Sequence, residues 1–248
     1  MRCVIPLLLW LVSLQPAFAA LSPTNLTAGG SNTAATSYTT ASITPSANAL
    51  VLASVYNNAD PLVPNTPTLT GNGLTWVEVV TRLDGVTNTR ITLFRAMGSA
   101  PSAGAVTIDM AGQSQANGST WIVTEFSGAD TSGTNGSAAV IQGAGAGCVF
   151  GSTLTVTLGA FSSAANATYG AIVITGIKDI VPGSGFTQIR ELQDTQPPGT
   201  ISVQDEWKST NDTSVDWTWS GSHCNYAVAA ELKPGCIPSL TLLGVTAC

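Results

Sequence analysis

Hydrophobic positions along this chain come in short runs of strand length, cut by Gly, Pro, Asn and Ser. Ala49-Leu50-Val51-Leu52-Ala53-Ser54-Val55-Tyr56 is one such run. Asn57-Asn58-Ala59-Asp60-Pro61 ends it with residues that favour turns and cannot continue a ladder. Leu74-Thr75-Trp76-Val77-Glu78-Val79-Val80 and Thr89-Arg90-Ile91-Thr92-Leu93-Phe94-Arg95 follow, with turn chemistry at Asp84-Gly85 between them. In the second of these Arg90, Thr92 and Phe94 share one face while Ile91, Leu93 and Arg95 share the other, the period of an antiparallel strand.

Further strands are predicted over 105–110, 120–126, 137–142, 154–158, 169–174, 186–192, 201–207, 214–219 and 226–232. Residues 21–45 carry few large apolar side chains and read as an extended edge segment or a loosely attached arm. With many short strands at regular spacing and no amphipathic helix, the pattern predicts an all-β chain. Its expected form is a two-layer antiparallel β-sandwich, jelly-roll-like, over 20–233. No exact internal repeat is visible, and no linker divides the domain.

Composition sharpens this picture. Charged residues make up 9% of the 248-residue chain, far below the roughly 25% of ordinary soluble domains, so solubility must rest on Thr, Ser, Asn and Gln. The short ones, Thr, Ser and Asn, are poor helix formers, while Thr and Val suit a pleated surface. The formal charge is −6 with 8 Lys and Arg and no basic cluster, which argues against nucleic acid as a partner.

Residues 1–19 read as a secretory signal peptide. Arg2 precedes an apolar stretch from Val4 to Leu14, and Pro16-Ala17-Phe18-Ala19 supplies a small-residue cleavage site. The apolar stretch is shorter than the roughly 20 residues of a spanning helix, so no membrane span is expected after its removal. The mature chain then keeps Cys148, Cys224, Cys236 and Cys248. In an exported chain these read as two disulfides, Cys148–Cys224 and Cys236–Cys248, the choice resting on locality alone. No C-x-x-C spacing and a single histidine speak against zinc. Residues 234–248 form an apolar tail expected to pack back, to mediate association or to remain loosely ordered.

Leu74-Thr75-Trp76-Val77-Glu78-Val79, the connection from Ala96 to Gly104, Trp121-Ile122-Val123-Thr124-Glu125-Phe126-Ser127-Gly128 and Pro182-Gly183-Ser184-Gly185-Phe186-Thr187 together resemble the jelly-roll-like β-sandwich domains of bacterial secreted and phage-particle proteins. The resemblance spans roughly residues 21–233 and implies an extracellular or particle-surface role, structural or adhesive. It maps no catalytic residue, and the cysteine-bearing tail departs from its pattern.

Candidate chemistry is thin. His223, the only histidine, adjoins Cys224, and no G-x-S-x-G elbow presents a serine. Glu78 and Glu125 lie beside Trp76 and Trp121, as the paired carboxylates of a glycan-active hydrolase would. The segment from Asp205 to Trp219 is the richest in polar atoms. Its acidic side chains and loop carbonyls could serve a bound calcium ion, although the order of an EF-hand loop is missing, and Asp205, Glu206 or Asp212 could join the neighbouring tryptophans in a carbohydrate-binding site. Trp207, Trp217 and Trp219 could stack on sugar rings or fill the core. Sequons begin at Asn25, Asn117, Asn135, Asn166 and Asn211. The expectation is a non-enzymatic extracellular or particle-surface β-sandwich with a structural, assembly or adhesive role. Its partners would be copies of itself or a glycan, and the alternative is a carbohydrate-binding module.

Overall fold

Each predicted run contains a strand, and every strand pairing is antiparallel. The computed structural model describes residues 17–84, 88–148, 150–194 and 200–237, and no helix occurs among them. A short ribbon pairs β1 (Ala17–Phe18) with β19 (Cys236–Ile237). The first half then runs β2 (Ser22–Ser31), β3 (Ser37–Thr39), β4 (Leu50–Asn58), β5 (Thr68–Gly71), β6 (Leu74–Thr75), β7 (Val77–Asp84), β8 (Thr89–Ala96), β9 (Thr107–Asp109) and β10 (Ser119–Ser127). The second half runs β11 (Val140–Gly147), β12 (Gly151–Thr157), β13 (Ala167–Thr175), β14 (Val181–Pro182), β15 (Thr187–Asp194), β16 (Ile201–Lys208), β17 (Ser214–His223) and β18 (Asn225–Leu232).

Two expectations change in detail. The segment read as an edge or an arm is an edge strand, because β2 pairs along the whole of β10. The strand expected over 137–142 starts later, at Val140, since Asn135 and Gly136 adopt positive φ and turn the chain first.

The two halves repeat each other. Five-stranded sheets of order β2-β10-β4-β8-β7 and β11-β18-β13-β16-β15 correspond strand for strand. So do the smaller sheets β3-β9-β5-β6 and β12-β17-β14, apart from the short β6. The registers coincide as well. Val51 opposite Ala96 and Glu125 matches Thr168 opposite Lys208 and Glu231. The bulge between Glu78 and Val80 recurs between Gln188 and Arg190. Each half is thus a two-layer antiparallel sandwich, and the all-β sandwich expected from the sequence is present twice.

The halves stack through their five-stranded sheets, with β7 over β11 and β2 over β15. This is the pattern of a symmetric dimer folded into one chain. Three cores result. Leu50, Leu52, Leu93, Ile122 and Phe126 meet Val173, Val203, Tyr226, Val228 and Leu232 in the centre. Val51, Val55, Phe94 and Val123 face Tyr38, Leu69 and Ile108 in one outer core. Ile172, Ile174 and Ala227 face Leu154, Val156, Val215 and Trp217 in the other. The inner strands are therefore buried on both faces, which is why β4 and β18 are near-continuous apolar runs instead of alternating ones.

Cys148 and Cys224 form a disulfide, as expected, tying the end of β11 to the start of β18. Cys236 is also disulfide-bonded, while Cys248 lies outside the described residues. So do residues 1–16 of the expected signal peptide and residues 238–248 of the tail. Among the described residues no helix is long and apolar enough to cross a membrane.

Candidate functional site

The residues expected to bind a ligand along 205–219 do not form a surface. Trp217 and Trp219 do share a face, but that face is the second outer core, where they are 0% and 6% exposed. Trp207 projects from the opposite side of its sheet, half-buried and edge-on to Phe126 at 6.0 Å. Trp217 and Trp219 thus serve packing and are closed to a sugar ring, while Trp207 packs on Phe126 with part of its surface left exposed. Asp205 and Glu206 are adjacent in a strand and so point to opposite faces, into different cores. Asp212 forms an ion pair with Lys208 at 2.7 Å and accepts the Ser214 N–H. A cation entering there would meet the lysine first, and among the described residues no three acidic, histidine or cysteine side chains converge.

Asp205 has its own setting between the halves. Ser54 Oγ donates to its Oδ1 at 2.9 Å, and the Tyr169 hydroxyl donates to Oδ2. Burial pushes the carboxyl up to about 7 against those two bonds, and it holds the Tyr169 hydroxyl well above the usual phenol range, with Asp205 adding to the shift. Glu206, in the second outer core, is pushed up to about 8 by burial, against the N–H of Gly183.

Glu78 and Glu125 point to the same face, since Glu78 is opposite Phe94 and Glu125 opposite Val51, both in the first outer core. Strands β8 and β4 lie between them, however, a separation of about 14 Å at the spacing of neighbouring strands. That exceeds the roughly 5–10 Å of a glycosidase pair. Glu125 is instead occupied by the N–H and Oγ of Ser46. His223 ends β17, half-buried. Of the sequons, Asn166 is buried with its amide on Glu231, which closes that site to modification.

What the structure does bring together is a cleft that sequence reasoning touched only at its rim. The chain crosses from the small sheet to the large one at Trp76, between β6 and β7. The sheet edges splay there around a cleft of about 280 Å³ lined by Thr66, Pro67, Thr68, Leu69, Trp76, Glu78 and Phe94. Phe94 and Leu69 are its buried floor, Trp76 a half-buried wall and Glu78 an exposed rim. Beyond Glu78 a second cleft of about 280 Å³ opens over Val79, Arg95, Ile141, Gln142 and Gly143, between β7 and β11 of the other half.

Compared with protein families, curated proteins and solved structures, the chain matches none.

The rim of the first cleft is held from beneath. Arg90 Nε donates to the Pro64 carbonyl at 3.1 Å, and Gln113 Oε1 accepts the Asn65 N–H while its Nε2 donates to Val63. Asn57 Nδ2 donates to the Asn65 carbonyl. Burial lowers the Arg90 pKa, and Glu78 partly restores it. The indole N–H of Trp76 is buried without a protein partner among the described residues. The cleft thus presents an aromatic wall and one exposed carboxylate.

Proposed function

We propose that the chain is a non-enzymatic extracellular or particle-surface β-sandwich protein with a structural, assembly or adhesive role. The observation that carries this reading is the fused pair of sandwiches: two sheets that bury each other's apolar faces, one of them further braced by Cys148–Cys224 between its neighbouring strands β11 and β18. Such a body keeps its shape under load without depending on charge. The disulfide fits an oxidising compartment, in line with the signal-like residues 1–19. Leu62, Val63 and Phe150 stand 59%, 52% and 70% exposed and offer apolar contact points.

The glycan-active hydrolase reading loses its pair to distance, and the carbohydrate-binding reading loses Trp217 and Trp219 to packing. Sedimentation of the oxidised chain, with a pull-down on cells or particles of its source, tests the proposal. The expected result is a species larger than the 25.2 kDa chain, or retention on the surface. A strict monomer retained by neither would overturn it.

A further inference from the structure

The repeat supplies an internal control for the Trp76 cleft. With the halves aligned by register, Trp76 corresponds to Phe186, Glu78 to Gln188 and Phe94 to Glu206. In the second half this position is closed. Gly183 brings its backbone so near Asp216 that a Cβ would lie 2.5 Å from the Asp216 carbonyl oxygen, and its N–H reaches Glu206. Lys208 lies over the Phe186 ring at 5.3 Å while its ammonium pairs with Asp212. Phe186 and Glu206 are thus taken up by internal contacts, while Gln188, exposed like Glu78, accepts from Gln204 Nε2. In the first half, the aromatic ring borders an open cleft, the carboxylate on the rim is exposed, and the loop that shapes the opening is pinned by Arg90, Gln113 and Asn57. One copy of a repeated position is filled and the other is open, with the loop that borders it pinned in place.

We propose that the Trp76–Glu78 groove is a binding site for a neutral oligosaccharide, rings with equatorial hydroxyls lying across the two clefts on either side of Glu78. The chemistry follows from the lining. A half-buried indole offers its face to the flat C–H side of a pyranose, as aromatic rings do for apolar surfaces. The Glu78 carboxylate accepts from two neighbouring hydroxyls, a charge-assisted pair. The hydroxyl of Thr68, on the exposed rim, adds a further polar contact. Each cleft is close to the lower end of ligand-pocket volumes, about 300 Å³, so a short stretch of sugar chain fits and a bulky ligand does not. A neutral sugar is favoured because the lining holds one carboxylate, Glu78, against one cation, Arg95, whose Nη1 is already spent on backbone carbonyls, and the chain carries a net charge of −6. Arg95 is turned to the Thr134 and Asn135 carbonyls.

This inference deepens the adhesive branch of the proposed function, and its test reads out separately from assembly. The oxidised chain is titrated with cello-, chito- and malto-oligosaccharides and with an acidic galacturonate oligomer, following tryptophan fluorescence and heat. Binding of at least one neutral series is expected. Trp76→Ala should weaken it at least tenfold and Glu78→Gln several-fold, each variant keeping the far-UV circular dichroism and the cooperative urea transition of the parent. Thr68→Arg, on the exposed rim and away from the core, should block the cleft and abolish binding if Trp76→Ala fails to fold. No binding by any neutral series, binding by the galacturonate alone, or full affinity retained in Thr68→Arg would each overturn the site. Assembly in sedimentation would then still stand by itself.

Discussion

Asp205 shows how far a single residue can depart from its counterpart. Register places Leu93 at the equivalent position of the first half, Ala171 at the position equivalent to Ser54, and Leu52 at that equivalent to Tyr169. The same contact is therefore aliphatic on one side of the molecule and a carboxyl with two hydroxyls on the other. Replacing Asp205→Leu alone leaves the hydroxyls of Ser54 and Tyr169 buried without their acceptor, and should destabilise by about 1–3 kcal/mol for each. The triple change Ser54→Ala, Tyr169→Leu and Asp205→Leu copies the aliphatic side. It should be neutral or stabilising by about 1–4 kcal/mol, as when other buried polar clusters are replaced by packed apolar ones. The pH dependence has a definite sign. The folded chain holds the Asp205 proton up to about 7, whereas an unfolded Asp releases it near about 3.9. This contribution is complete below that lower value and is lost as pH rises through 7. Urea midpoints at several pH values should fall across this window in the parent and fall less in the triple variant, with Glu206 carrying the remainder up to about 8.

At the scale of elements, the grip of a glutamate on the loop before an inner strand recurs. Glu125 takes the N–H and Oγ of Ser46, and Glu231, at the matching place in β18, takes those of Ser162. Glu231 also accepts from Gln142 and Asn166. Burial raises its pKa, but these bonds outweigh burial and hold the carboxyl below the usual range. Glu231→Ala should therefore cost more than about 3 kcal/mol by stranding several buried donors, and Glu125→Ala, on exposed bonds, about 1 kcal/mol; chemical denaturation at pH 7 compares them. Because the Glu231 pKa is depressed, its contribution is present above about pH 4.3 and disappears on further acidification. Strand positions were legible in the sequence because turn residues punctuate every run. The repeat was not, because register, bulges and buried contacts are conserved between the halves while side chains such as Trp121 and Ala227 are exchanged at matching places. The indoles of 217 and 219 were legible as sharing a face, but periodicity cannot say whether that face meets water. Trp76 was seen only as a neighbour of Glu78, since a cleft made where the chain changes sheets leaves no local pattern.

For the whole molecule, the shared central core makes the halves interdependent. Separating them would expose the inner faces of both large sheets, so the oxidised chain should unfold in one transition, with calorimetric and van't Hoff enthalpies in agreement. The disulfide closes a sequence separation of 76 residues. By loop entropy its removal in a Cys148→Ser, Cys224→Ser variant should cost about 4 kcal/mol while leaving the transition single. Two resolved transitions in either protein would show that the sandwiches fold independently.

The lone polar trio also dictates which partners can stack. If two first halves from separate chains met through their large sheets, each Ser54 would face a Leu93 and lose its acceptor. If two second halves met, each Asp205 would keep its own Tyr169 but face Ala171 in place of Ser54, forfeiting one buried hydrogen bond, about 1–3 kcal/mol. Unlike halves therefore match best, so homotypic stacking during synthesis or at high concentration is disfavoured, and exchange between chains should preserve the alternation of first with second half.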